Sequence, residues 1–125
     1  MPNLPEDIKA AWNEREGAIA FATVDPKGVP NAIYATCVSL DGDDRIVVAD
    51  NYFSKTLENI KSGSRGAVLF LTRDKRSFQI KGAIEYHTEG RIYEEMKGWN
   101  PAKHPGRAAV AVKVEEVYCG ADRLL

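Results

Sequence analysis

The chain has 125 residues, 44% of them hydrophobic, which is enough for one compact domain with a single core. Seventeen basic residues nearly balance eighteen acidic ones, and the formal charge of -1 excludes the strong positive charge typical of nucleic-acid-binding proteins. No apolar run approaches the roughly 20 residues of a membrane-spanning helix, and residues 1–9 lack the pattern of a signal peptide. We therefore expect one domain over residues 1–125, located in the cytoplasm, with no nucleic-acid or membrane partner.

The first part of the chain predicts a short helix and three strands. Apolar residues recur at helical spacing after Pro5, and we expect this amphipathic helix to end near Gly17. Runs of apolar and β-branched residues, separated by turns that contain glycine, predict the strands Ala18–Val24, Pro30–Leu40 and Arg45–Asp50. Such short turns favour antiparallel pairing, because parallel neighbours need a crossover of about a dozen residues or more.

The second part predicts two further helices and three further strands. A helix of about two turns is expected from Ser54 to Gly63, and another over Arg91–Lys97, ended by Gly98. The remaining strands are Ala67–Thr72, Ser77–His87 and Ala108–Tyr118. Six mostly antiparallel strands with short helices are best closed as a β-barrel, because closure removes exposed strand edges. The predicted fold class is therefore mainly β.

The segment Ser54-Lys55-Thr56, at the expected start of a helix, has the composition of an anion site. The first backbone N–H groups of a helix lack intrahelical partners and carry partial positive charge, so a lysine there is locally unfavourable. A phosphate bound by these N–H groups, the two hydroxyls and the Lys55 ammonium would resolve that conflict. The alternative is that Ser54 only caps the helix and Lys55 is a solvated charge, and the spacing by itself favours this alternative.

The histidines and cysteines do not predict a site. His87 and His104 have no cysteine or carboxylate at metal-ligand spacing nearby, so we predict no metal centre. Cys37 and Cys119 lie far apart, without a Cys-x-x-Cys pattern or a paired histidine, which favours free structural thiols. We assign no catalytic side chain.

Several short segments together carry a resemblance to a known family. They are Val29-Pro30-Asn31, Leu40-Asp41-Gly42, Arg45-Ile46-Val47-Val48, Lys55-Thr56 with Asn59, Lys81-Gly82, Thr88-Glu89-Gly90 and Arg107-Ala108-Ala109. In order and spacing they resemble the FMN-binding split-barrel proteins related to pyridoxamine 5'-phosphate oxidase, above all the small stand-alone members. The resemblance spans nearly the whole chain and implies a six-stranded antiparallel split barrel of Greek-key type.

The resemblance also implies that the chain binds FMN at the subunit interface of a homodimer. In that family the flavin ring lies against the second strand and the end of the third, and its phosphate meets the helix start. The residues at these positions are Asn31, Ala32 and Ile33 at the ring, Asp50 and Asn51 at its polar edge, Ser54, Lys55 and Thr56 at the phosphate, and Asn59 beside the phosphate loop. A solvated helix face explains Asn59 almost equally well.

FMN supplies redox chemistry, so the resemblance implies an oxidoreductase or electron carrier with an unidentified redox partner or small substrate. Two alternatives stay open: a non-catalytic module that binds or stores FMN or haem, and a structural barrel with no cofactor. Trp99 and Tyr118 could cover a flavin, although packing is the commoner role of such aromatic residues.

Two departures from the family pattern bear on these expectations. The bulky Tyr52 and Phe53 stand where small members carry glycine or another apolar residue, which affects how the ring can approach. The true oxidases continue into a further C-terminal segment that completes their cofactor and substrate sites, whereas this chain ends at Leu125. Oxidation of pyridoxamine phosphate is therefore not expected.

Overall fold

The computed structural model describes residues 4–125, and within them the chain forms three helices and ten strands. In chain order they are α1 (Glu6–Asn13), β1 (Ile19–Val24), β2 (Pro30–Ala35), β3 (Val38–Asp41), β4 (Arg45–Asp50), α2 (Lys55–Lys61), β5 (Gly66–Leu71), β6 (Ser77–Gly82), β7 (Ile84–His87), α3 (Arg91–Trp99), β8 (Ala108–Lys113), β9 (Glu116–Cys119) and β10 (Asp122–Arg123). No helix of this part of the chain is long and apolar enough to cross a membrane.

The strands form two antiparallel sheets that enclose the main core. One sheet has the order β10-β9-β6-β5-β1-β2, and the other has the order β3-β4-β8-β7. Inward side chains of the first sheet, such as Phe21 and Ile80, pack with inward side chains of the second, such as Val48 and Val110. The predicted fold class, a mainly β antiparallel split barrel, is confirmed.

Three of the six predicted strands are each divided between the two sheets. Pro30–Leu40 becomes β2 and β3, Ser77–His87 becomes β6 and β7, and Ala108–Tyr118 becomes β8 and β9. At the second break, a Cβ atom on Gly82 would lie 1.5 Å from the carbonyl oxygen of Lys113, so only glycine lets the backbones approach this closely. The two-residue strand β10 carries no recognisable sequence signal.

The helices α1 and α3 pack in different apolar clusters. Ile8 and Trp12 of α1 lie in the main core, where Trp12 packs edge-on against Phe70. Ile92 and Met96 of α3 pack on the outer face of the four-stranded sheet, in a second apolar cluster. The predicted start of α3 is confirmed, but the predicted end at Lys97 is two residues short, because α3 continues to Trp99.

Candidate functional site

A groove of about 310 Å³ lies where β2 runs past the end of β4. Its walls come from the second half of β2 and the two residues after it, from the loop that follows β4, and from the loop between α3 and β8. The lining residues are Ile33, Tyr34, Ala35, Thr36, Cys37, Ala49, Asn51, Tyr52, Phe53 and His104. The groove is therefore built by three segments that are distant in sequence.

The strand β2 gives this groove an apolar wall and a free backbone edge. Ile33 faces inward, where it and Phe53 pack against the main core, and the ring of Phe53 lies 6.0 Å from that of Phe21. Ala32 faces outward and is exposed, so the three predicted ring contacts Asn31, Ala32 and Ile33 alternate between the two sides of the strand. Because β2 ends the six-stranded sheet, its outer N–H and C=O groups have no strand partner within residues 4–125.

The predicted anion segment lies at the start of α2, next to the beginning of β2. The Ser54 hydroxyl makes no capping hydrogen bond, so the simple N-cap interpretation of this residue is not what the structure shows. The Lys55 side chain is 52% exposed, and its ammonium lies 3.9 Å from a carboxylate oxygen of Asp25. Thr56 is buried, and its hydroxyl accepts a 3.0 Å hydrogen bond from the Asn31 amide, which ties α2 to β2.

Asn59 holds the other side of α2. It is 1% exposed, and its amide donates a 3.0 Å hydrogen bond to the hydroxyl of Thr23 on β1. Its backbone carbonyl accepts the N–H of Ser64 just after the helix. Asn59 therefore does not lie on a solvated helix face; it fixes α2 against the six-stranded sheet.

Asp50 at the end of β4 is fully buried, and protein donors occupy its carboxylate. Oδ1 accepts hydrogen bonds from the Phe53 N–H (3.0 Å) and the Arg107 guanidinium (2.7 Å), and Oδ2 accepts one from the Tyr86 hydroxyl (2.8 Å). Burial of the phenol, together with the bond to Asp50, raises the pKa of Tyr86 to about 12. The carboxylate thus shapes the loop after β4, and the expected approach of Asp50 to a flavin edge stays a prediction.

Asn51 lies on the groove and links two loops. Its side-chain amide exchanges two hydrogen bonds, of 3.1 and 2.9 Å, with the amide of Asn100. Its oxygen also accepts the Gly106 N–H at 2.9 Å. At the rim, the Tyr52 hydroxyl lies 3.1 Å from Nδ1 of His104. The bulky Tyr52 is exposed there rather than filling the groove.

Sequence reasoning therefore found α2, β2 and the end of β4 but missed the loop between α3 and β8. Asn100, His104 and Arg107 come from that loop and meet residues roughly fifty positions earlier in the chain. Arg107 belongs to one of the short segments that carry the family resemblance, but nothing in the local pattern marks Asn100 or His104. Cys37, treated as structural, is a free thiol on the groove wall. Residues 4–125 contain no group of three or more His, Cys, Asp or Glu side chains that could hold a metal ion.

The fold and the site thus define the class of protein: a split barrel with a groove between an edge strand and the start of a helix. Residues 4–119 match the family described as pyridoxamine 5'-phosphate oxidase, and the chain belongs to this family. It is also 34% identical over 119 residues to an uncharacterized protein of Methanocaldococcus jannaschii, a match that covers 90% of this chain and 77% of that protein. The resemblance inferred from the short segments is confirmed.

Solved structures show the same fold. HupZ of Group A Streptococcus superposes with a TM-score of 0.80 at 25% identity, and the match covers 93% of each chain. An FMN-binding protein of Syntrophomonas wolfei subsp. wolfei superposes with a TM-score of 0.78 at 21% identity, covering 93% of this chain and 84% of that one. At such identity the second likeness is one of fold alone.

Proposed function

We propose that this protein is a flavoprotein of redox type, which binds FMN between the start of α2 and the groove beside β2. The observation that carries the proposal is the continuity of this surface: a cationic and hydroxyl-bearing end adjoins an apolar wall with free backbone groups. FMN has the matching order of parts, an anionic phosphate at one end and a flat ring at the other. When bound, FMN would supply the electron-accepting chemistry.

The phosphate end is assigned to Ser54, Lys55 and Thr56. Lys55 and Ser54 are exposed, and the Ser54 hydroxyl is not used as a cap, so both can turn to an anion. Thr56 is held in place by the amide of Asn31. Charge-assisted hydrogen bonds to phosphate are stronger than neutral ones, which makes Lys55 the residue whose loss should matter most.

The ring end is assigned to β2 and the loop after β4. Ile33 and Phe53 offer apolar contact, and the unpaired edge of β2 offers N–H and C=O groups to the polar rim of a flavin. The Asn51 side chain lines the same groove. Support also comes from the S. wolfei protein of the same fold, which is described as FMN-binding.

We further propose that the protein acts as a homodimer that covers the outer face of the six-stranded sheet. This face carries exposed apolar side chains on three adjacent strands: Tyr34 on β2, Val24 on β1, and Leu69 and Leu71 on β5. Alanines lie between them, with Ala20 opposite both Tyr34 and Leu69. An exposed apolar patch of this kind is typical of a protein interface, and contact with a second copy of the chain is the simplest way to bury it. Because Tyr34 also lines the groove, the flavin would lie at the subunit interface.

FMN affinity tests the cofactor assignment. Lys55→Ala should weaken FMN binding about tenfold or more, the range expected when one charge-assisted phosphate contact is lost. Riboflavin, which lacks the phosphate, should bind the variant and the parent equally. Lys61→Ala, at the exposed end of α2, is the matched control and should leave both affinities unchanged. A parent protein that fails to take up FMN, or a Lys55→Ala variant with parental FMN affinity, would contradict the assignment.

Anaerobic addition of NADH or NADPH to the FMN-loaded protein tests the redox role. Rapid loss of the visible flavin absorbance after the addition supports a reductase. Absorbance that stays unchanged with both donors favours a module that only stores the cofactor.

Leu69→Lys tests the dimer. The mass of this variant, measured by light scattering, should fall toward that of a monomer. Leu124→Lys, similarly exposed but next to β10 at the opposite edge of the sheet from β2, should keep the parental mass.

A further inference from the structure

A second cavity of about 390 Å³ adjoins the groove on the side away from α2. The two share Thr36, Cys37 and His104 in their linings, so they are neighbouring compartments. The proposed flavin site accounts for the first compartment only. The second is bounded by the start of β3, by Trp99 at the end of α3 and by Lys103 in the loop that follows.

The second compartment has a basic lining. No aspartate or glutamate lines either compartment, whereas Lys103 and His104 both border the second. Lys103 makes no ion pair with any residue of the described range 4–125. A cation that borders a concave surface free of carboxylates attracts anions.

The same compartment offers a flat apolar surface on a well-fixed frame. Trp99 is half-buried and packs on the apolar cluster beneath α3, so its indole is held by the core. The loop after it is fixed at both ends, by the amide pair of Asn100 with Asn51 and by the Lys97 ammonium, which donates to the carbonyl of Pro105. Such fixed walls lose little freedom when a ligand binds.

We propose that this compartment binds a second ligand beside the flavin, and that this ligand is a flat organic anion. Lys103 binds its acidic group, Trp99 contacts its ring, and His104 stands at the junction between the two ligands. The inference rests on the proposed function, because it names the class of ligand that would lie beside the flavin.

Benzoate and benzamide are suitable probes, because they share a flat ring and differ in charge. The indole N–H signal of Trp99 reports binding in proton–nitrogen NMR spectra, and buried Trp12 serves as the internal reference. Benzoate should shift the Trp99 signal in a saturable way and perturb the visible spectrum of bound FMN. Benzamide should bind about fivefold more weakly, as expected for the loss of one partly exposed ion pair.

Lys103→Gln should lower benzoate affinity to that of benzamide, whereas Lys61→Gln, at the exposed end of α2 and outside both linings, should leave it unchanged. Equal affinities of the parent for the two probes, or parental benzoate affinity in Lys103→Gln, would overturn the inference. FMN uptake is measured separately on the same samples. A protein that takes up FMN but shows no benzoate shift refutes the second compartment alone. One that shifts with benzoate but takes up no FMN refutes the proposed function, and with it the placement of the anion beside a flavin.

Discussion

Replacement of Asp50 tests whether its carboxylate organises the loop that forms the groove. The side chain is fully buried and accepts hydrogen bonds from Phe53, Tyr86 and Arg107. In Asp50→Asn the amide oxygen can still accept from Phe53 and Arg107, and the Tyr86 hydroxyl can rotate to accept from the new NH₂ group. The Asp50→Asn variant therefore loses the negative charge but keeps most of the hydrogen bonds. Asp50→Ala removes all three hydrogen bonds.

The expected losses in the free energy of unfolding follow from these contacts. Two charge-assisted bonds become neutral in Asp50→Asn, and each such change costs about 1 kcal/mol, so the total is about 2 kcal/mol. Asp50→Ala leaves three donors without their acceptor, and removal of one partner of a buried pair costs about 3–5 kcal/mol. The Arg107 side chain is 45% exposed and regains water, which places the loss near the lower end of that range.

Urea unfolding curves at neutral pH measure these losses, with equal slopes required for the comparison. Asp122→Asn is the control, because Asp122 is exposed on β10, and it should change stability by less than about 0.5 kcal/mol. FMN affinity of Asp50→Asn should fall as well if the loop is disturbed. Should Asp50→Ala unfold within about 1 kcal/mol of Asp122→Asn, the carboxylate does not hold the loop and the reasoning is wrong.

Three further predictions concern the rest of the fold. Gly82→Ala should lower the free energy of unfolding by more than about 3 kcal/mol or prevent folding, because the new Cβ would meet a backbone carbonyl of β8. Gly98→Ala, inside α3, is the control and should be neutral or stabilising by up to about 1 kcal/mol. Thermal unfolding distinguishes the two variants. The hydrogen bond from Arg45 lowers the pKa of Glu85 from 4.5 to about 2, so its contribution to stability is present above pH 4.5 and is lost as the pH falls through 2. Glu85→Gln should therefore lower stability at pH 7 by about 1–2 kcal/mol and leave it unchanged near pH 2, as urea curves at several pH values would show. Because the folded pKa of Tyr86 is raised from 10 to about 12, the parent should lose stability between pH 10 and 12, and Tyr86→Phe should lose the part of that dependence due to this phenol.

The order and type of most elements could be predicted from the sequence. The strands β1, β4 and β5 and the helices α1 and α2 lie within a few residues of their predicted limits, because hydrophobic period and turn-forming residues act over short distances. The divided strands could not be predicted. Side chains keep alternating through the break at Ala83. The strands β6 and β7 are separate only because β6 pairs with β5 and β7 pairs with β8.

The candidate site likewise combines residues that the sequence could predict with residues that it could not. The helix start at Ser54, Lys55 and Thr56 could be predicted because it is a local feature, and its binding of a phosphate stays a prediction. The burial of Asp50 and the bond between Tyr52 and His104 could not be predicted, because each depends on a partner at least 36 residues away.

By itself, then, the sequence determined a mainly β chain of known element order, a family, and a cationic helix start. That β2 is an edge strand, where a closed barrel without exposed edges was expected, was decided by the tertiary structure. Tertiary structure alone decided which residues wall the groove, where the chain crosses from one sheet to the other, and that a second, carboxylate-free compartment adjoins the first. The physical reason is distance along the chain: local backbone preferences are encoded within a few residues, whereas a cavity exists only where packed elements leave space between them.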